Sequence, residues 1–259
     1  MTGAELAVPR ETLFEFLCRM GDNTLVLGHR LSEWCGHAPV LEEDIAIANT
    51  ALDLIGQTQM WLGLAGTIEG KARDADALAM RRDVWDFRNI LLVEQPNGDF
   101  GQTLMRQCLF DHWHLLLLQA LEHSSDARIA EIAAKSVKEV TYHAERSSEL
   151  VVSLGDGTEE SRARMQAALT LLWPYVAEMF ETDAHDTTLS EAGIAPTPES
   201  LRAPYMDAMT ALLTAATLSP PDTRTGQTGG RSGKRHSEHL GHMLTTMQWL
   251  QRAYPDARW

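Results

Sequence analysis

The sequence predicts an all-α protein folded as a helical bundle, and three observations lead to that prediction. Apolar residues recur at spacings of three and four over several long segments, which is the period of an amphipathic helix. No stretch alternates polar and apolar residues over the length that a half-buried strand needs. No linker is long enough to divide the 259 residues, 44% of which are hydrophobic, so a single domain is predicted. We assign residues 11–259 to that domain and residues 1–10 to an N-terminal extension.

Four long helices form the predicted core. A turn at 36–39 separates the first two, because Pro39 disfavours helix at the residue before it. So short a connection predicts antiparallel neighbours. In the second helix, Ile45 and Leu52 are among the positions predicted to face inward. Asp99 is suited to cap the third helix. The predicted spans are 11–34, 41–64, 99–121 and 126–154.

Shorter helices are predicted around this core. A fifth helix begins at Thr158, and Pro174 should kink it. Thr197 and Pro198 are typical of the N-cap and first residue of a sixth helix. Residues 182–196 are expected to be irregular. The remaining predicted segments are a short helix at 77–87, a loop at 219–236 and a last helix at 240–254.

Composition limits the class of partner. The net charge of -14 argues against nucleic acid or an anionic membrane as the main partner. No membrane span is expected, because no run of about 18 apolar residues is present. No signal peptide is expected either, because residues 1–10 contain no apolar run behind a basic stretch. The three cysteines, Cys18, Cys35 and Cys108, show no C-x-x-C spacing. They indicate reduced thiols and a cytoplasmic location.

Two segments on separate helices carry the candidate metal ligands. Asp111 and His114 are three residues apart on the third helix, and Glu139 and His143 are four apart on the fourth. Residues at these spacings share one face of a helix. Bundles that hold two irons use a Glu from each of two helices and a Glu-x-x-His from each of the other two. The four residues therefore supply part of such a site.

The rest of that site is missing from the sequence. No histidine occurs at 38–111, so the second helix has no carboxylate-x-x-His; Asp53, for example, has Gly56 three residues on. The spacing of Glu139 and His143 is one residue too long, which shifts a side chain by about 100° around the helix axis. We therefore predict no metal in this chain. We interpret the candidate ligands as a buried, hydrogen-bonded polar layer at a former or alternative metal position.

Three other groups carry charged or metal-ligating side chains. Histidines that recur every three residues near the C-terminus suggest zinc, but no cysteine or matched carboxylate set accompanies them, and pairing with Glu238 also explains them. The basic loop 224–236 suits a phosphate, an acidic partner or simply solvent. The acidic residues in the first turn of the second helix are stabilised by the positive end of its dipole. These residues are His236, His239 and His242; Arg231, Lys234 and Arg235; and Glu42, Glu43 and Asp44.

Longer motifs connect the sequence to a known family. Several runs with Trp, Cys, His and Pro in fixed order resemble the structural, ferritin-like subunits of bacterial phenylacetyl-CoA epoxidase complexes. The likeness covers nearly the whole chain from about Leu13. The runs are Asp22-Asn23, Leu31-Ser32-Glu33-Trp34-Cys35-Gly36-His37-Ala38-Pro39, Leu91-Leu92-Val93-Glu94-Gln95-Pro96-Asn97-Gly98, Thr228-Gly229-Gly230, His236-Ser237-Glu238-His239-Leu240-Gly241, Met247-Gln248 and Leu250-Gln251-Arg252.

The resemblance implies a ferritin-like helical bundle with accessory C-terminal helices, and a division of labour among subunits. A sister ferritin-like subunit would carry the di-iron centre and bind phenylacetyl-CoA. A reductase subunit with FAD and an iron–sulfur cluster would deliver electrons from NADPH. This chain would support the catalytic subunit, with no catalytic residue or cofactor of its own, and would touch the CoA substrate near the subunit interface. The substrate contacts so implied are Glu42, Glu43, Asp44, Ile45, Thr187, Thr188 and Leu189.

The residues alone leave other functions open. An independently active di-iron oxidase or monooxygenase would use Asp111, His114, Glu139 and His143 as ligands. A free-standing binding protein is a third possibility. Iron content separates the oxidase from a structural subunit, and co-purification with a second helical subunit separates the binding protein from it.

Overall fold

The computed structural model describes residues 6–222, 226–255 and 257, and within these ranges the chain forms helices and no strand. Three short 3₁₀ segments, Val84–Asp86, Trp173–Phe180 and Pro198–Leu201, lie between the α-helices. The α-helices are α1 (Arg10–Glu33), α2 (Leu41–Glu69), α3 (Ala75–Met80), α4 (Leu91–Glu94), α5 (Phe100–Leu121), α6 (Ala127–Gly155), α7 (Glu159–Leu172), α8 (Ala184–Glu191), α9 (Arg202–Ala215) and α10 (Glu238–Ala253).

Four long helices form the core, as the sequence predicts. α1 packs along α2, α5 packs along α6, and α2 also contacts α6. Hydrogen bonds join Asp53 to His143 and Gln57 to Glu139. The residue number rises by four on α2 while it falls by four on α6, so these two helices run antiparallel with one bond per turn. Around the core, α7 and α9 pack on α5 and α6, α8 packs on α1, and α10 packs on α3.

The polar run at 21–23 lies inside α1 without breaking it. Asp22 is fully buried and forms an ion pair with Arg82, which follows α3. Asn23 accepts a hydrogen bond from the backbone N–H of Ile90 at 2.8 Å. These buried polar side chains therefore fasten the segment between α3 and α4 to the core.

Several predicted boundaries are wrong. The predicted short helix at 77–87 is two pieces, α3 and a 3₁₀ turn, because Asp74 caps the first and Asp83 the second. The segment 182–196, predicted as irregular, contains α8, whose first backbone N–H groups bond to Asp183. Near Pro174 the α-helix does not bend but ends, and a 3₁₀ segment follows.

Part of the predicted inward face of α2 is exposed to solvent. Leu41, Ile45 and Leu52 are 70%, 52% and 69% exposed. They lie four and seven residues apart, on one side of the helix. The buried side of α2 carries Leu54 and Trp61 instead, because that side faces α1. We call Leu41, Ile45 and Leu52 the apolar stripe of α2.

Two buried carboxylates hold the C-terminal loop 226–237 against the core. Glu178 accepts hydrogen bonds from the backbone N–H groups of Leu91, Gly229 and Arg231 at 2.6–3.1 Å. Because Glu178 is completely buried, its pKa is raised, although these backbone donors act in the opposite direction.

Glu94 makes the second attachment. It accepts from the backbone N–H of Ser237 at 2.7 Å, from Asn89 at 2.9 Å, and lies 2.5 Å from His236 Nδ1. We call Glu94, Glu178 and the loop that they bind the C-terminal anchor. It explains how α10 is attached to the bundle despite the long irregular segment before it.

At the other end of the chain, Val8 is buried in the hydrophobic core, and Leu6 packs against that core. Of the assigned N-terminal extension, the structure describes residues 6–10, and residues 1–5 lie outside the described ranges. No helix in the described part of the chain is both long and apolar enough to cross a membrane.

Candidate functional site

Asp111 lies at the centre of the bundle, where the sequence predicts a polar layer. Its side chain is 1% exposed and accepts hydrogen bonds from Gln107 Nε2 at 2.6 Å and from Ser147 Oγ at 3.0 Å. Burial raises the pKa of this carboxyl to about 6, against the opposite effects of His143, Ser147 and Gln107. No arginine or lysine pairs with it among the described residues. Asp111 is therefore held by neutral donors rather than by a formal ion pair.

His114 is the least satisfied member of the layer. It is 1% exposed, and neither ring nitrogen has a hydrogen-bond partner within the described ranges. Its ring centroid lies 4.9 Å from that of Phe110. Burial first, and His143 second, lower its pKa to about 3. His114 is therefore a neutral imidazole near pH 7 and offers no positive charge to Asp111.

The two residues predicted on α6 are both bound to α2. His143 Nε2 lies 2.9 Å from Asp53 Oδ2, and Gln57 Nε2 donates to Glu139 Oε2 at 3.1 Å. From the sequence, Asp53 was weighed as a metal ligand only with Gly56, three residues on, and a role for Gln57 was not predicted. The missed signal was the shared spacing: Asp53 and Gln57 are four residues apart, as are their partners. We use "polar layer" from here on for this set, which is Asp53, Gln57, Gln107, Asp111, His114, Glu139, His143 and Ser147.

These residues do not fit a di-iron centre. In the part of the chain that the structure describes, no group of three or more His, Cys, Asp or Glu side chains is placed to hold a metal ion. On α2, the residue that binds Glu139 of α6 is an amide, Gln57, rather than a carboxylate. Two of the candidate ligands, Glu139 and His143, are engaged with α2 side chains instead of converging with Asp111 and His114. That this chain binds no metal stays a prediction, since only metal analysis tests it.

The first group of predicted substrate contacts, Glu42 to Ile45, opens α2. Glu42 and Ile45 are exposed, whereas Glu43 forms an ion pair with Arg146 of α6. Asp44 Oδ1 accepts hydrogen bonds from the backbone N–H of Gly36 at 2.8 Å and of Ala38 at 3.4 Å. Two of the four side chains therefore already have structural roles.

The second group lies on α8. The hydroxyls of Thr187 and Thr188 donate to the backbone carbonyls of Asp183 and Ala184, and Leu189 is buried. α8 is fastened to the first half of α1, whereas the start of α2 lies beyond the C-terminal end of α1. About 14 residues of α1 separate these places, which is about 20 Å at 1.5 Å per residue. The structure does not bring the two groups together.

The C-terminal histidines do not form a cluster. The side chain of His236 is 1% exposed and pairs with Glu94, not with Glu238. His242 is exposed. Of the basic loop 224–236, Arg231 is bound to Asp186 at 2.8 Å, while Lys234 and Arg235 are exposed, and residues 224–225 lie outside the described ranges.

Comparison with known proteins gives two concordant matches. Residues 2–259 match the family described as "Phenylacetic acid catabolic protein". The chain is also 47% identical over 247 residues to the subunit designated C of the 1,2-phenylacetyl-CoA epoxidase of Escherichia coli (strain K12), and the match covers 95% of this chain and 99% of that protein. Both agree with the predicted resemblance, and the all-α bundle confirms the predicted fold class. The chain therefore belongs to the phenylacetic acid catabolic protein family and has its ferritin-like helical fold.

Proposed function

We propose that the chain is the non-catalytic structural subunit of a multicomponent di-iron monooxygenase that epoxidises phenylacetyl-CoA in aerobic phenylacetate degradation. The match to an epoxidase subunit over nearly the full length of both chains supports a place in such a complex. A subunit implies further subunits, so the activity belongs to the assembly. The role of this chain would be to support the catalytic subunit and to help bind the CoA substrate.

The pairing of side chains in the polar layer supports the proposal that this chain is not catalytic. A working di-iron site needs carboxylates and histidines that converge on the metals from four helices. Here Asp53, Gln57, Glu139 and His143 bind each other in pairs across α2 and α6. A chain with this donor set supplies a folded bundle, and oxygen chemistry is left to another subunit.

The apolar stripe of α2 supports the proposal that this chain assembles with another subunit. Leu41, Ile45 and Leu52 expose large side chains on one side of a helix, and Val40, which precedes Leu41, is 52% exposed. Contiguous apolar surface of this kind is typical of protein–protein contacts. A partner that covers it would remove these side chains from water and gain the corresponding hydrophobic free energy.

Cofactors and partners follow from the same proposal. The di-iron centre would belong to a catalytic ferritin-like subunit, and FAD and an iron–sulfur cluster to a reductase subunit. Phenylacetyl-CoA would lie at or near the interface with the catalytic subunit. The free thiols of Cys18, Cys35 and Cys108 fit a reducing cytoplasm. Neither nucleic acid nor a membrane is a proposed partner.

The most specific claim in the proposal is that this chain contacts CoA directly. Exposed Glu42 and Ile45 at one end of α1, and exposed Thr187 at the other, leave side chains free for a ligand. Glutamate is a poor neighbour for phosphate, so contact through the pantetheine amides or backbone groups is the chemistry that fits. Because the two groups lie about 20 Å apart along α1, we propose that they contact different parts of an extended CoA molecule or that only one contacts it.

Co-expression with candidate neighbouring subunits tests the proposal. We expect a stable complex with a second helical subunit, iron in that partner alone, and NADPH- and O₂-dependent epoxidation that falls when this chain is omitted. About two irons per chain in the isolated protein, with oxygen-dependent turnover, would instead establish the independent oxidase.

A further inference from the structure

A small cavity lies beside α1, away from the polar layer. Its volume is about 30 Å³, and it is bounded by α1, α5 and the segment that contains α8. Most of its wall is apolar, including Phe16, Met20 and Leu117. The charged side chains of Arg19, Asp186 and Arg231 also line it. The cavity therefore has an apolar wall and a polar wall.

Two donors in this lining have no partner among the described residues. They are Nε1 of the Trp113 indole and Nε of the Arg19 guanidinium. Trp113 is 7% exposed and Arg19 is 5% exposed, so bulk water does not solvate them freely. A buried donor without an acceptor loses the full free energy of its hydration. Two such donors at one cavity indicate an acceptor inside it.

The volume limits what that acceptor is. A cavity of at least about 10–15 Å³ accommodates one water molecule, whereas a cavity that takes benzene is about 150 Å³. The observed volume of about 30 Å³ therefore admits one or two water molecules and excludes an aromatic or larger organic ligand.

The charges around the cavity argue against an anion. Arg19 lies 2.5 Å from Asp183, 3.2 Å from Asp186 and 3.3 Å from Glu15, and Arg231 lies 2.8 Å from Asp186. The two guanidinium groups are therefore neutralised by three carboxylates. An anion such as chloride would meet no uncompensated positive charge, whereas a neutral molecule that both accepts and donates hydrogen bonds suits the lining.

We propose that this cavity is a binding site for a structural water molecule, which accepts hydrogen bonds from Trp113 Nε1 and Arg19 Nε and donates to the Asp186 carboxylate. Trp113 belongs to α5, Arg19 to α1 and Asp186 to α8. The water adds Trp113 of α5 to the polar contacts that already join α1 and the α8 segment through Arg19, Asp183 and Asp186. This inference does not depend on the proposed function.

A crystal structure of the protein as it purifies, alone or with its partner, tests the site. We expect density for a water oxygen within hydrogen-bond distance of both Trp113 Nε1 and Arg19 Nε. An empty cavity would overturn the proposal. So would an anomalous peak at the site after a bromide soak, because that peak would identify an anion.

A variant sharpens the test. In Trp113→Phe the water loses one donor, so we expect its density to disappear or to move toward Arg19 and Asp186. A water that keeps its position in the variant would show that Trp113 is not a ligand. If the variant fails to fold, the wild-type density still decides between a water, an anion and an empty cavity.

Discussion

The polar layer and the C-terminal anchor both bury carboxylates, but they obtain their hydrogen bonds from different sources. Glu178 of the anchor receives three backbone N–H groups, and Glu94 receives another from Ser237. Asp111 of the layer receives only side-chain donors, from Gln107 and Ser147. Backbone donors fix the path of a loop, whereas side-chain donors change rotamer at low cost.

The difference extends to the groups left without partners. In the layer, the unpartnered atoms of the described structure are both ring nitrogens of His114, His143 Nδ1, Gln57 Oε1 and Gln107 Oε1. In the anchor, Ser237 Oγ is also unpartnered, but loss of one carboxylate would leave backbone N–H groups unpaired and detach a loop. We infer that the anchor fixes the path of the C-terminal loop, whereas the layer leaves more of its side-chain atoms without a partner.

The largest effect is expected from the anchor. Glu178→Ala leaves the backbone N–H groups of Leu91, Gly229 and Arg231 without an acceptor, at about 1–3 kcal/mol each before relief of the buried charge. We expect the free energy of unfolding to fall by about 3–5 kcal/mol in urea titration. Glu181→Ala is the matched control, since Glu181 is exposed and only its backbone groups form hydrogen bonds. Equal losses in the two variants would contradict the anchor.

A smaller effect is expected from Asp111→Ala. It leaves the Gln107 donor unpaired, whereas Ser147 keeps a second acceptor, the Ala144 carbonyl at 3.4 Å. Because a buried carboxyl is also removed, we expect a loss of about 1–3 kcal/mol. On the proposed structural role, stability or assembly with the partner subunit should fall, rather than an activity of this chain. Asp156→Ala, at an exposed position after α6, should leave both unchanged. A variant that assembled normally but lost bound iron would refute the metal-free layer.

His114 should make the fold sensitive to acid. Its pKa falls from the ordinary 6.5 to about 3 in the folded protein, so the unfolded chain binds the proton more tightly. The resulting stability is present above pH 6.5 and is lost as the pH falls toward 3. Asp111, whose pKa is raised to about 6, acts in the opposite sense between about pH 4 and 6.

The variant His114→Leu isolates the first contribution. From pH 7 to pH 5 we expect it to lose less stability than the wild type, by about 2 kcal/mol, at about 1.4 kcal/mol per pH unit below 6.5. Urea titrations at the two pH values measure this difference. His123→Gln, at an exposed position, should keep the wild-type slope, and a His114 variant with that same slope would show that the buried imidazole does not titrate as expected.

The smallest effect on stability is expected at the apolar stripe. Leu52→Gln alters a side chain that is 69% exposed, so the free energy of unfolding should change by no more than about 0.5 kcal/mol. Co-purification with the helical partner should nevertheless weaken. Leu171→Gln, at a 52% exposed position on α7, should leave the complex intact. If the two variants bound the partner equally well, the stripe would not be the contact surface.

Local signals predicted the fold well where they act over short range. Asp99, Asp126 and Thr158 each cap the helix that they were expected to open, because capping depends on two or three neighbouring residues. α8 was missed because eight residues show little apolar period. The exposed side of α2 was misassigned because periodicity does not distinguish an apolar face that packs on the chain's own core from one that stays exposed on this chain.

The candidate site was predicted only in part. Burial of Asp111, His114 and His143 is confirmed, since all three lie on the inward faces of long helices. Their partners were not predicted, because the bond between Asp53 and His143 joins residues 90 positions apart. The matched four-residue spacing on α2 and α6 permits such pairs, but which residues pair depends on the register of the two helices, and spacing alone does not specify that register.

The four-residue pairing of α2 with α6 also bears on how this chain could change in evolution. Gly56→His would create a carboxylate-x-x-His on α2, but Gly56 is exposed and nothing lies within 4 Å of where its side chain would start. The new imidazole would point into solvent. The buried position is Gln57, which already binds Glu139. A buried carboxylate-x-x-His on α2 is therefore more than one substitution away, because the position with the required spacing is exposed and the buried position beside it is already used by Gln57.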